Sequence, residues 1–368
     1  MEHVLYPLDK LKQFTIDVFV GIGVPREEAE VCADVLNAAD RRGIDSHGVG
    51  RLKPIYYDRI VNFKVQEAQT QFEVERDTAA TAVVNGNNGM GFVVAHKAMT
   101  MAMEKAKTYG IGMVIAKNST HYGIAAYYPM MACDNDMIGL TGTNARPSIA
   151  PTWGVENMLG TNPLVFAMPT DEPFHFTNDY ATSIAQRGKV EQYAREDKEM
   201  PAGWVIDREG GTKTDPHQVL KDLTQGAAAL TPLGGIGEEM GGHKGYGYAT
   251  VVELLSAGMQ LGPFLKQLNG TENGKKVPIL LGHFFIAIDI AHFCDVDEFK
   301  HQAGEILRTL RQSQKAKNAE RIYTHGEKEY LHSQERETSG VPLPPVVQQQ
   351  MIEMRDELGL SHYTFSWE

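Results

Sequence analysis

TAVVNGNNGMGFVVAHKAMTMAMEKAKTYGIGMVIA, residues 81–116, changes its hydrophobic period twice, and that change decides the fold class. TAVVNG is a short apolar run that closes on turn residues, the pattern of a strand. Apolar residues then recur at helical spacing, with Phe92, Ala95, Met99, Ala102 and Ala106 on one face. Gly110 stops that helix, and IGMVIA resumes as a buried strand. We read NGNNGMG, between strand and helix, as a tight turn, because its glycine order is not Gly-x-Gly-x-x-Gly.

Outward from this unit, MIGLTG, LVFAMP, FHFTND and GHFFIAIDI read as further strands of one sheet. A helix is expected from about 246 to 261. Both chain ends are helical. Leu11, Phe14 and Val18 make one stripe, and Cys32, Val35, Leu36 and Ala39 a second that stops at Gly43. Val296, Phe299, Ile306 and Leu310 make another, and the last helix is expected over 346–358. The predicted architecture is α/β (α+β), with a helical layer from residues 1–78 and 296–368 around an α/β body over 79–295.

Composition narrows the function. The formal charge of -12 opposes nucleic acid and anionic lipid. The densest basic run, 308–321, reads as the solvated face of a helix. Cys32, Cys133 and Cys294 are far apart, which argues against a disulfide framework and a zinc site. Lys10, Lys12 and Asp17 interrupt what would be the core of a signal peptide, and no window has the apolar length of a membrane span. The expectation is a cytoplasmic protein with no membrane or nucleic-acid partner and no catalytic metal.

The chemistry concentrates in RRGIDSHGVGRLKPIYYDR, residues 41–59. If Asp45 or Ser46 caps a new helix, His47 and Arg51 project from one face. Arg51 could grip a carboxylate with two parallel hydrogen bonds while His47 moves a proton to or from the neighbouring oxygen. Ser46 could orient the imidazole or the substrate, and Tyr56 is expected with Arg51 at the substrate. Spacing alone also fits, and somewhat favours, an N-capped helix with surface ion pairs. KNSTHYGIAAYY, residues 117–128, sets His121 just after a strand, where α/β sheets carry ligand loops, with Tyr122, Tyr127 and Tyr128 able to wall a flat ring. A packed loop histidine is the other reading. PLGGIGEEMGGHKGYG, residues 232–247, lacks Gly-Lys-Ser/Thr, yet Lys244 at a helix start would suit a pyrophosphate.

Taken in order, RGIDSHGVGR, NGNNGMGFVVAHKAM, KNSTHYGIAAYY, APTWGVENMLGTNPLVFAMPT, NDYATSIAQRGKV, PAGWVIDREGGTKTDP and GGHKGYGYA resemble the malate/L-lactate dehydrogenase family. That family is unrelated to the Rossmann-type dehydrogenases and includes sulfolactate, ureidoglycolate and imino-acid reducing members. The resemblance implies a non-Rossmann nucleotide-binding domain inserted in a helical domain, NAD or NADP as cofactor, and a homodimer. It implies His47 as acid/base with Ser46 beside it, Arg51 as carboxylate clamp, and His121, Tyr122 and Gly123 near the nicotinamide. It further implies Thr143 and Asn144 nearby, Asp179, Tyr180 and Ala181 on the cofactor, and Lys244 and Gly245 towards its phosphates. Lys189 stands where the imino-acid reductases carry an acid. A lysine cannot steady a cationic imidazole, so the resemblance favours a hydroxy-acid enzyme, with malate first. Ureidoglycolate, sulfolactate or a keto-sugar acid is the alternative within the family. A non-catalytic nucleotide-binding protein is the alternative outside it.

Overall fold

The computed structural model describes residues 4–368. β1 (Val4–Tyr6) enters α1 (Leu8–Gly21), and a turn at Pro25 starts α2 (Arg26–Arg41). Their inner stripes are the expected ones, buried against one another. After Gly43 come a loop and a π-helix (Leu52–Asn62), a rare, wide winding that often accompanies functional sites.

β2 (Glu73–Asp77), β3 (Thr81–Asn85), α3 (Gly91–Tyr109) and β4 (Ile111–Ser119) follow. α3 buries Phe92, Ala95, Met99, Ala102 and Ala106 and ends on a left-handed Gly110. Residues 81–116 therefore form a strand–helix–strand unit, with β3 and β4 parallel. The turn at 85–91 is structural: the amide of Gly91 donates to Thr120 Oγ1 at 2.9 Å.

Further along are α4 (Tyr127–Cys133), β5 (Met137–Thr143), β6 (Leu164–Met168), β7 (Phe176–Asn178), α5 (Arg187–Arg195), β8 (Val205–Asp207), α6 (Pro216–Gln225), β9 (Ala228–Leu230) and α7 (Gly242–Ser256). A hairpin of β10 (Thr271–Glu272) and β11 (Lys275–Lys276) precedes β12 (Leu281–Asp289). The chain closes with α8 (Val296–Gln312), α9 (Glu327–Ser339), β13 (Val341–Leu343) and α10 (Pro345–Glu357).

All the predicted strands join one seven-stranded sheet, ordered β2-β3-β4-β12-β5-β6-β7. Only β3 and β4 are parallel neighbours; the remaining pairs are antiparallel, so β3, β4, β5 and β7 end at the same edge. One core joins α1, α2, the π-helix, α3 and the sheet to α10 at the other chain end, and β1 pairs with β13. A second, smaller core holds α5, α6, β8 and β9 through Val190, Val205, Val219 and Leu230.

Two expectations change. The helix at the basic run stops at Gln312, and its arginines are not simply solvated: Arg308 pairs with Asp171 and Glu172, Arg311 with Glu172, and Arg321 with Glu327. The helix expected from 246 starts earlier, at Gly242, and ends at Ser256.

Candidate active site

The sheet edge where β4 and β7 end and β6 begins faces a cleft of about 800 Å³. Residues of the 43–51 loop form one wall and α5 another, with Gly123, Thr161 and Asp179 to Ala181 between, and α9 and α10 contribute Glu329 and Val346. Ligands of α/β sheets commonly bind at such strand ends, and the volume suits a small-molecule site.

The 43–51 loop is not the capped helix the spacing suggested. Neither Asp45 nor Ser46 caps; a single 3-10 turn at Val49–Arg51 starts after Gly48, and His47 precedes it. The reason lies in residues distant in sequence. Asp40, buried in the last turn of α2, accepts the amide of Val49 with both carboxylate oxygens, at 3.0 and 2.9 Å. Burial pushes the Asp40 carboxyl up to about 8. Gly48 must be glycine here, because a Cβ would meet Asp40 Oδ1 at 1.8 Å. Arg336 of α9 grips Asp45 and the Asp40 carbonyl from the other side. The loop is thereby fixed with His47 on the cleft.

Ser46 Oγ lies 2.9 Å from His47 Nδ1. Arg51 Nε donates to the Ser46 carbonyl at 2.5 Å, which leaves the terminal guanidinium nitrogens free for a ligand. His47 is only partly buried as a surface, but its dense surroundings and the Arg51 charge lower its pKa to about 4. It is a neutral imidazole at pH 7, able to accept a proton.

His121 stacks beside it, with ring centroids 5.9 Å apart and an interplanar angle of 17°. Its environment differs. The Tyr56 hydroxyl lies 2.6 Å from His121 Nδ1, and the Gly123 amide donates to the same nitrogen at 3.3 Å. An N–H pointed at Nδ1 makes that atom the acceptor, so the neutral ring carries its proton on Nε2. Burial, then the charges of His47, Arg59 and Arg51, hold His121 well below its ordinary pKa. His121 is thus a fixed hydrogen-bond donor, and Tyr56, fully buried, orients it.

The other expected residues divide. Gly123, Asp179, Tyr180 and Ala181 line the cleft. Asp179 accepts the Ala126 amide at 2.9 Å, and burial raises its pKa to about 6. Tyr122 and Tyr128 do not wall the cleft: both are buried, Tyr122 stacked on His283 at 4.5 Å and on Tyr128 at 5.1 Å. Thr143 and Asn144 are buried braces between β5 and β12, bonded to Gly282 and His283. Lys244 stands exposed in the first turn of α7, outside the cleft lining, and among the described residues it has no ion-pair partner. Gly245 is required by packing, since a Cβ would meet the Leu233 carbonyl at 2.1 Å.

On the wall that α5 supplies, the sequence pointed to Lys189 through the family resemblance but not to Gln192 or Arg195. Lys189, Gln192 and Arg195 share one helix face and line the cleft with His47 and Arg51. Lys189 bonds Gln192 at 2.9 Å, and neither Lys189 nor Arg195 has a carboxylate partner among the described residues. The i, i+3, i+6 spacing was visible in the sequence, but nothing there told which way the face would turn.

The cleft also fits a nicotinamide cofactor. Its volume is ample, no Cβ fills the space at Gly188, and the half-exposed ring of Tyr180 offers a flat surface beside Asp179.

Comparison with known proteins agrees in family and fold. The family described as malate/L-lactate dehydrogenase matches residues 6–352. A malate dehydrogenase of Pyrococcus horikoshii is 42% identical over 97% of this chain and 96% of its own. A malate/(S)-sulfolactate dehydrogenase of Methanothermus fervidus is 34% identical, covering 95% and 96%. The crystal structure of malate dehydrogenase from Entamoeba histolytica superposes with a TM-score of 0.94 at 40% identity, covering 99% of this chain and 100% of that one.

Proposed function

This chain belongs to the malate/L-lactate dehydrogenase family, and from that premise we propose that it interconverts malate and oxaloacetate. It is an oxidoreductase of small 2-hydroxy acids, working with a nicotinamide cofactor. The observation that carries the malate reading is the set of unpaired cations in the cleft: Arg51 beside the neutral imidazole of His47, and Lys189 and Arg195 on α5, while of the acids in the same lining Asp45 and Glu191 are already paired with Arg336 and Arg187, leaving Asp179 and Glu329. One carboxylate of a dicarboxylic acid needs the first cation, and the second needs the others.

Gly123, Asp179, Tyr180 and Ala181 are the residues that would hold a nicotinamide cofactor, whose chemistry there would be to give or take the hydride. When malate is oxidised, the substrate hydroxyl gives its proton to His47, which is unprotonated at pH 7. Ser46 keeps the imidazole oriented through Nδ1, so Nε2 faces the exchange. The Nε2–H of His121 donates to the same substrate oxygen and steadies the charge that develops there. A substrate carboxylate on Arg51 neutralises the charge that helps depress His47, and this raises the His47 pKa towards a value suited to returning the proton in reduction.

A second reading exchanges the histidines. Tyr56 fixes His121 through one nitrogen, the arrangement expected of an oriented acid/base, which favours His121 as proton carrier.

The proposal extends to NAD as cofactor with NADP second, a homodimer, and a cytoplasmic location. Exposed Tyr248, Val251, Leu254, Met259 and Leu261 on α7 and the turn after it form an apolar face suited to a second copy. Free Cys32, Cys133 and Cys294 suit a reducing compartment.

The test is to add oxaloacetate to the purified chain and follow NADH and NADPH consumption in parallel. Rapid oxidation of NADH is expected; no oxidation of either, with turnover of sulfopyruvate instead, would move the assignment to a sulfolactate enzyme.

A further inference from the structure

Beside the start of the His121 loop, at Thr120, lies a smaller and more enclosed cavity of about 190 Å³. It is bounded by the π-helix, the end of β4, the loop after β5 and the β10–β11 hairpin, and it shares no lining residue with the cleft. Arg59, Arg146 and Lys276 line it, brought together from three distant parts of an otherwise acidic chain. Among the described residues none of the three side chains has a hydrogen bond or a carboxylate partner, and no Asp or Glu lines the cavity. Most other arginines of the protein are paired, as Arg308, Arg311, Arg321, Arg336 and Arg355 illustrate.

Arg59, the partly buried member of the three, holds its unpaired charge beside Ile55 and Val277, whereas Arg146 and Lys276 reach solvent. Burial, and then the charge of Arg146, push Arg59 below its ordinary pKa. Two further groups are unsatisfied. Gln66 is 6% exposed, and its Oε1, like Asn88 Oδ1, is buried without a partner. Cations with buried acceptors beside them match one ligand chemistry: an oxyanion that also carries hydroxyl hydrogens.

We infer that this cavity is a second ligand site, for a small hydroxylated oxyanion such as hydrogen phosphate or a hydroxycarboxylate. Its wall includes Thr120, the residue before His121. The Arg59 charge is among those acting on His121, so an anion seated here relieves that field and connects occupancy to the cleft.

Thermal melting of the full chain tests this, titrated with inorganic phosphate in one series and citrate in another, against sodium chloride at equal ionic strength. A saturable rise in Tm of a few degrees is expected beyond the chloride control, and the series that gives it identifies the anion. Arg146 is exposed, so Arg146→Glu should fold and melt normally without added anion, yet lose that rise. Lys276→Ala should weaken it several-fold. No rise with either anion, or an undiminished rise in Arg146→Glu, would overturn the proposal. So would phosphate or citrate competing with oxaloacetate equally in wild type and Arg146→Glu, because the anion would then be sitting in the cleft.

Discussion

The 43–51 loop and the 120–125 loop each bring a histidine to the same place, yet the two rings are prepared differently. His47 sits on a loop held from beneath by Asp40 and from the side by Arg336, so its backbone is fixed while its outer nitrogen stays open to the cleft. His121 is fixed through the ring itself, with Tyr56 and Gly123 both directed at Nδ1. The difference teaches how one fold can separate two tasks for one residue type. A backbone brace leaves the imidazole free to change protonation, whereas a ring brace selects one tautomer and keeps it.

Four substitutions would break or sharpen that contrast. His47→Ala removes the proton carrier, and kcat for oxaloacetate reduction should fall roughly 100-fold or more, with KM changed far less. Turnover at the wild-type rate would end the assignment. Arg51→Lys keeps the charge but loses the planar fork; the KM for the keto acid should rise about 10- to 100-fold, from the roughly 1.5–3 kcal/mol carried by charged hydrogen bonds. An unchanged KM would remove Arg51 from substrate binding. Lys189→Met should cost about tenfold in kcat/KM with oxaloacetate and much less with pyruvate, which has no second carboxylate. Equal losses on both acids would show that Lys189 does not read the second group. Tyr56→Phe, the mildest, deletes one hydrogen bond of roughly 0.5–1.5 kcal/mol and should lower kcat about 2- to 10-fold. A loss as deep as that of His47→Ala would mean that the ring brace on His121 is part of the proton path.

Much of the sheet was legible because its strands carry their own signal. The apolar runs at 81–85, 111–116, 137–142 and 164–168 close on turn residues, and α3 announces itself by period and by Gly110. β8 and β9, each three residues long, gave too little pattern, and α9, rich in charge, had no apolar stripe to read. The site divided in the same way. Ser46, His47 and Arg51 lie close in sequence and line the cleft together, whereas Tyr56, expected at the substrate, is buried and reaches the site only through its bond to His121. The form of the loop was not legible, because Asp40 and Arg336, the latter 291 residues from Asp45, decide it through contacts no local spacing encodes. The cations of α5, and the trio of Arg59, Arg146 and Lys276, are likewise products of the tertiary fold.

In the proposed division of labour His47 carries the proton and His121 only donates a hydrogen bond. This division is tested most directly by measuring oxaloacetate reduction at neutral pH in His47→Gln and His121→Gln side by side. His47→Gln should lose at least about tenfold more kcat than His121→Gln, whose amide can still donate. The reverse order, with His121→Gln the more damaged, would contradict it and hand the proton to His121.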